Sequence, residues 1–181
     1  VLEDCAGAFG TWVGERSVGT FGEAAAFSFN GNKVLTTSGG GAVFIRDPEL
    51  REAARSWANQ GKKPHAVGYS HDTLGYNYKL SNICAAIGLG QLETLSGRLE
   101  RKKATFRHYQ ERLRKAGEFA FIPEPAYGKN NYWLTCIGVD TGAHAGEIVH
   151  SLREKGIEAA PMWKPMHLQK LNRDLRVFGG A

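Results

Sequence analysis

The sequence predicts an α/β fold, and three observations lead there. Short apolar segments fit for buried strands recur at 1–3, 24–29 and 42–45. Amphipathic segments with helix-start residues follow them. Beyond Pro123 and Pro125 the order strand, helix, strand appears again in a smaller unit.

Val1 to Glu3 reads as a strand ending at Asp4. Ala24 to Phe29 and Ala42 to Ile45 are two further apolar strands, separated by a lysine-bearing turn and Gly39-Gly40-Gly41. Asp47-Pro48-Glu49 starts a helix: an acceptor at the N-cap, proline at the first helical position, and an acid in the first turn. That helix is expected to reach about Asn59, with Leu50, Ala53, Ala54 and Trp57 on one face. Gln60 to Thr73 is polar and rich in turn formers, so it reads as a loop. Ser81 then caps a long helical pattern that ends at Gly117, with a break expected near Ser96-Gly97. Tyr132 to Val139 reads as a strand, Ala143 to Lys155 as a helix closed by Gly156, and Ile157 to Ala160 as a last strand. A domain boundary is expected between Gly117 and Pro125, with the long helix bridging the two domains.

The chain has 181 residues, 42% hydrophobic and 23% charged, with a formal charge of +5. Those proportions suit a globular core. The cations lie along helical stretches such as Arg98 to Arg114, interleaved with Glu100 and Glu111. No basic run alternates with base-stacking aromatics, so a solvated helix face is expected and nucleic acid is not. Cys5, Cys84 and Cys136 lie far apart in apolar runs. Buried thiols in a reducing compartment follow, and the six histidines likewise lack ligand spacing, so no metal is expected. No window has the apolar length of a membrane span, and a cytoplasmic location is expected.

The segment that carries chemistry is Phe27-Ser28-Phe29-Asn30-Gly31-Asn32-Lys33, followed by Thr36-Thr37-Ser38 and three glycines. It sets one lysine just past a strand, with a serine five residues earlier. An amine there can attack a bound aldehyde while hydroxyls hold a phosphate. A solvated lysine at the tip of a strand–turn–strand unit is the other reading. Asp4, at the carboxyl end of the first strand, can pair with a protonated pyridine nitrogen and keep that ring an electron sink.

Asp4, Ser28 and Lys33, in that order, resemble the DegT/DnrJ/EryC1/StrS family of sugar aminotransferases, which use pyridoxal phosphate. The resemblance continues through Leu74-Gly75-Tyr76-Asn77-Tyr78-Lys79-Leu80-Ser81-Asn82 and Met162-Trp163-Lys164-Pro165-Met166-His167-Leu168-Gln169. It covers essentially the whole chain and implies the type I fold of pyridoxal-phosphate-dependent transferases. Residues 1–117 would be the later part of the large cofactor-binding domain, with its bridging helix. Residues 118–181 would belong to a small, incomplete C-terminal α/β domain. Family members are roughly twice this length, so the chain is expected to be a piece lacking the N-terminal part.

The resemblance also implies roles. Lys33 would form the imine with the cofactor aldehyde and, once displaced, carry a proton between the substrate carbon and the cofactor. Asp4 would face the pyridinium and Ser28 would donate to the phosphate. Asn77 resembles the asparagine that reaches the phosphate from a partner subunit, although Gly75-Tyr76-Asn77 equally suits a plain turn. Trp163, Lys164 and His167 resemble the wall around a nucleotide-sugar, with a core tryptophan and a satisfied histidine as the rival reading. One place departs from the pattern. Three residues after the aspartate, relatives usually carry glutamine, histidine or glutamate near the ring; here it is Gly7. A water or another residue would have to substitute.

The implied reaction moves an amino group from an amino acid, with glutamate as the expected donor, to a nucleotide-linked 4-keto-6-deoxy sugar. The versions of the lysine and tryptophan motifs here most resemble enzymes acting on UDP-linked 4-keto-6-deoxy-N-acetylhexosamines, which supply bacillosamine-type sugars for bacterial surface glycans. A homodimer with shared active sites is implied. A non-catalytic sensory or scaffold relative, or an inactive truncated chain, is the alternative.

Overall fold

Two of the expected strands pair at once. In the computed structural model, which describes residues 1–62, 67–117 and 119–177, β1 (Leu2–Asp4) runs parallel to β4 (Ala24–Ser28), with Asp4 opposite Ala26. β4 pairs antiparallel with β5 (Gly41–Ile45), from Ala24 opposite Ile45 to Ser28 opposite Gly41. Gly41 is dictated by this closeness: a Cβ there would stand 2.2 Å from the carbonyl oxygen of Phe27. Residues 63–66 of the expected loop, residue 118 at the expected boundary and the closing Gly179-Gly180-Ala181 lie outside the described residues.

Helix starts follow the local chemistry. The Asp47 carboxylate accepts from the Leu50 amide at 2.7 Å, with Pro48 at the first position of α1 (Pro48–Ala58). The Ser81 hydroxyl accepts from the Cys84 amide at the start of α2 (Asn82–Glu93). Thr141 does the same for His144 in α4 (Gly142–Glu154). The long helical pattern breaks at Thr94, two residues before the expected place, and α3 runs Leu95–Arg114 with Gly97 inside it.

Two expected strands differ. Of 132–139, only Ile137 and Gly138 form β8 (Ile137–Gly138), antiparallel to β6 (Ala120–Phe121). Tyr132 takes φ +50, and the Asn130 and Asn131 side chains accept from the amides two residues on, so the chain turns where an extended strand was expected. Residues 157–160 form no strand among the described residues; the Ala159 carbonyl instead accepts from the Arg153 guanidinium at 3.0 Å. An unforeseen small sheet joins β2 (Trp12–Val13), β3 (Arg16–Ser17) and β7 (Gly128–Lys129) in the order β3-β2-β7. Gly14, at φ +59, makes the tight turn between the first two.

The described chain divides into two compact units. The first comprises 1–111 with 123–135, and the second 112–122 with 136–181. In the first, Cys5, Ala25, Val34, Leu35, Ile45, Phe106 and Tyr132 are buried, together with the polar Thr37 and Asn131. Many apolar side chains stay exposed: Val43 and Phe44 on β5, Leu50 and Trp57 on the expected α1 face, and Ile83 and Leu89 on α2. α2 is apolar all round yet buries only Gly88, the pattern of a helix normally covered on every side. The cysteines are free thiols; Cys5 is buried and Cys84 and Cys136 are half-buried, so the expected burial is complete only at Cys5. Burial raises the Cys5 thiol above its ordinary pKa, with the carboxylates of Glu3 and Asp4 adding to it.

Candidate active site

Because β1 and β4 are parallel neighbours, their carboxyl ends open on one edge of the sheet. Asp4 ends β1 there, and Ser28 ends β4 two residues beyond the partner of Asp4. Lys33 lies in the turn that follows. Ligands of open α/β sheets bind at this kind of edge. Asp4 is exposed and takes the Ala6 amide on one oxygen, Oδ1, at 3.0 Å. Ser28 is half-buried, and its Oγ accepts only a long 3.4 Å bond from the Asn30 amide among the described residues.

The turn that carries Lys33 is rigidly built. The Lys33 amide donates to Asn30 O at 3.0 Å. The Thr37 amide donates to Phe29 O, and the Phe29 amide to Gly40 O, each at 2.9 Å. Val34 and Leu35, directly after the lysine, are buried. Thr37 is buried too, and its methyl faces Gly88 of α2 so closely that a Cβ there would lie 2.9 Å from it. Of the three glycines, only Gly40 has positive φ (+78); Ser38, at φ +70, provides the other left-handed turn residue. The lysine backbone is therefore fixed on both sides, while the half-buried side chain reaches out from it.

The Lys33 ammonium lies 4.0 Å from the centre of the Trp133 ring. Two more residues complete this contact. The Trp133 indole N–H donates to Asn32 O at 2.6 Å. Asn131, 4% exposed, donates to Gly7 O at 2.8 Å and to Phe9 O at 3.0 Å, and accepts from the Trp133 amide at 3.0 Å. The sequence pattern assigned neither Trp133 nor Asn131 to the site. The only signal was a doubled asparagine before two aromatics, which reads as an ordinary strand entry.

Asn77 lies elsewhere on this unit. Its backbone pairs with Asn59 just beyond α1, held by Tyr76 N to Trp57 O and Tyr78 N to Ala58 O. No hydrogen bond among the described residues joins it to Asp4, Ser28 or Lys33. Trp163, Lys164 and His167 belong to the second unit. Trp163 is 64% exposed, Lys164 O accepts from the Gln169 amide group at 2.9 Å, and His167 is half-buried in a short 3₁₀ turn, Met166–Leu168. Among the described residues no cluster of His, Cys, Asp and Glu has the makings of a metal site, and no helix is long and apolar enough to cross a membrane.

A carboxylate and a hydroxyl at the ends of adjacent parallel strands, with an amine in the next turn, define the class: a pyridoxal-phosphate-dependent transferase of fold type I. The match to a family model over residues 1–177 is decisive, and the chain belongs to the DegT/DnrJ/EryC1/StrS aminotransferase family. It is 45% identical to EpsN of Bacillus subtilis, a protein assigned to the pyridoxal phosphate-dependent aminotransferases, over 94% of this chain and 44% of that one. It is 37% identical to GDP-perosamine synthase of Escherichia coli O157:H7, over 92% and 45%. Among solved structures, the aminotransferase PseC of Helicobacter pylori superposes with a TM-score of 0.87 at 27% identity, over 99% of this chain and 49% of that one. The chain thus spans under half the length of the curated relatives it matches. Pyridoxal phosphate is the cofactor of this family. The groups present suit it: an exposed carboxylate with one oxygen uncommitted to the Ala6 amide, a weakly engaged hydroxyl and an amine with no ion pair among the described residues.

Proposed function

We propose that the full-length protein transfers an amino group from an amino acid, with glutamate the donor, to a nucleotide-linked 4-keto-6-deoxy sugar. The observation that carries this reading is Asp4 and Ser28 at the neighbouring carboxyl ends of β1 and β4, with Lys33 in the turn that follows β4. When bound, pyridoxal phosphate supplies a ring that takes up the electron pair released at a substrate carbon. Lys33 Nζ would hold the cofactor through its aldehyde, and as a free amine it would carry the proton between the donor carbon and the sugar carbon. The Asp4 carboxylate would pair with the ring nitrogen and favour its protonated form. The Ser28 hydroxyl would donate to the phosphate and orient it.

The finer reading is a UDP-linked 4-keto-6-deoxy-N-acetylhexosamine, used for bacterial surface glycans. Trp163, Lys164 and His167 would contact the nucleotide-sugar, and Asn77 would serve the cofactor phosphate of a partner subunit in a cytoplasmic homodimer. Residues 1–117 would belong to the large domain and 118–181 to the small one. The relatives' names support the sugar class: one is a GDP-perosamine synthase, and PseC is an aminotransferase involved in the biosynthesis of pseudoaminic acid. Turnover of the full-length protein with UDP-4-keto-6-deoxy-GlcNAc and glutamate tests the proposal. An aminated sugar with equimolar 2-oxoglutarate is expected. Turnover only with a GDP-linked keto sugar would reject the UDP reading, and no amination of any keto sugar would reject the function.

A further inference from the structure

Gly7 lies in the loop after β1, and its surroundings show what fills the space beside it. A Cβ on Gly7 would lie 2.9 Å from Cζ3 and 3.0 Å from Cε3 of Trp133. Real Cβ atoms do not approach that closely, so the six-membered ring occupies the volume a side chain at position 7 would need. The other end of the indole is pinned by its N–H bond to Asn32 O, the residue just before the lysine. The Trp133 backbone is fixed as well: its amide donates to Asn131 Oδ1, and its carbonyl accepts from Lys102 Nζ at 3.3 Å. Asn131 in turn grips the carbonyls of Gly7 and Phe9. The indole is therefore held between the loop after β1 and the turn after β4, and its face carries the Lys33 ammonium.

We infer that Gly7 and Trp133 are a matched pair, and that Trp133 is a positioning residue that seats the Lys33 amine. The small residue at position 7 is the condition for the large ring at position 133. The ring steadies the amine through its π face and the lysine turn through its N–H. This rests on the reading of Lys33 as the reactive amine, but concerns how that amine is held.

The test is the initial rate at which Lys33 is acylated by a small water-soluble succinimidyl ester. It is read by peptide mass spectrometry on the full-length protein stripped of cofactor, with Lys155 as internal reference. Trp133→Leu removes both the ring face and the N–H, so Lys33 labelling should rise about two- to fivefold, as expected for loss of one cation–π contact. Trp133→Phe keeps an aromatic face and should retain part of the protection. Gly7→Ala should raise labelling by pushing the indole away. In Gly7→Ala/Trp133→Leu the increase should equal that of Trp133→Leu alone, because the two changes act on one contact. Lys33 labelling at the wild-type rate in Trp133→Leu and Gly7→Ala would overturn the inference, as would effects that simply multiply. Should Trp133→Leu not fold, Gly7→Ala and Trp133→Phe decide by the same criteria. Cofactor fixed at a lysine other than Lys33 in the wild-type protein would instead refute the reading of the reactive amine, leaving the labelling result to judge the pair on its own.

Discussion

Replacing Asn131 by alanine should cost more stability than any other single change of one polar side chain near the lysine turn. The amide group of Asn131 donates to Gly7 O at 2.8 Å and Phe9 O at 3.0 Å, and its oxygen accepts from the Trp133 amide at 3.0 Å. The side chain is buried, so water cannot replace these partners without opening the packing. Three hydrogen bonds at about 1 kcal/mol each give a loss of about 3 kcal/mol. Asn130→Ala is the matched control: Asn130 is exposed, and its side chain accepts a single 3.2 Å bond from the Tyr132 amide, so about 1 kcal/mol or less is expected. Urea unfolding of the full-length protein reads both, as a shift in midpoint at unchanged slope. Equal losses for the two variants, or less than about 1 kcal/mol for Asn131→Ala, would refute the idea that Asn131 ties the 131–133 segment to the loop after β1.

Other outcomes follow from the same structure. Gly41→Ala should destabilise by about 1–3 kcal/mol in the same urea assay, because its Cβ would press on a backbone carbonyl of β4 rather than on a movable side chain. The Glu3 carboxylate accepts from the amides of Gly19, Phe21 and Gly22 at 2.6–2.8 Å. The bond from Gly22 is the largest influence holding its pKa below the ordinary carboxylate value, reinforced by Gly19, Phe21 and the Arg16 charge against a desolvation penalty. Its stabilisation is therefore present above the ordinary carboxylate value and is lost as the pH falls through the lowered one. Melting curves from neutral pH down to about pH 3 should show an acid loss that Glu3→Gln removes, the variant being the less stable at neutral pH.

How far the sequence could be read depended on how local the cause was. The α1 start was legible because Asp47, Pro48 and Glu49 are adjacent and the cap bond spans three residues. β4 and β5 were legible as apolar runs on either side of a glycine turn. The placement of Asp4, Ser28 and Lys33 could be sketched because the first two end apolar strands and the lysine sits in the turn after the second. The two-residue strands β2, β3 and β7 were not legible, since so short a segment carries no periodicity. The strand expected from Tyr132 failed because side-chain caps and a left-handed residue outweighed apolar content. Trp133 and Asn131 were hidden for a different reason. Their decisive partners lie 101 to 124 residues away, and no local pattern announces a contact that only the folded chain creates.

The most direct measurement is borohydride reduction of the full-length holoenzyme followed by peptide mapping. One pyridoxyl group on the peptide containing Lys33, absent from a Lys33→Ala variant, is the predicted result. A label on any other lysine, or none at all, would contradict the account.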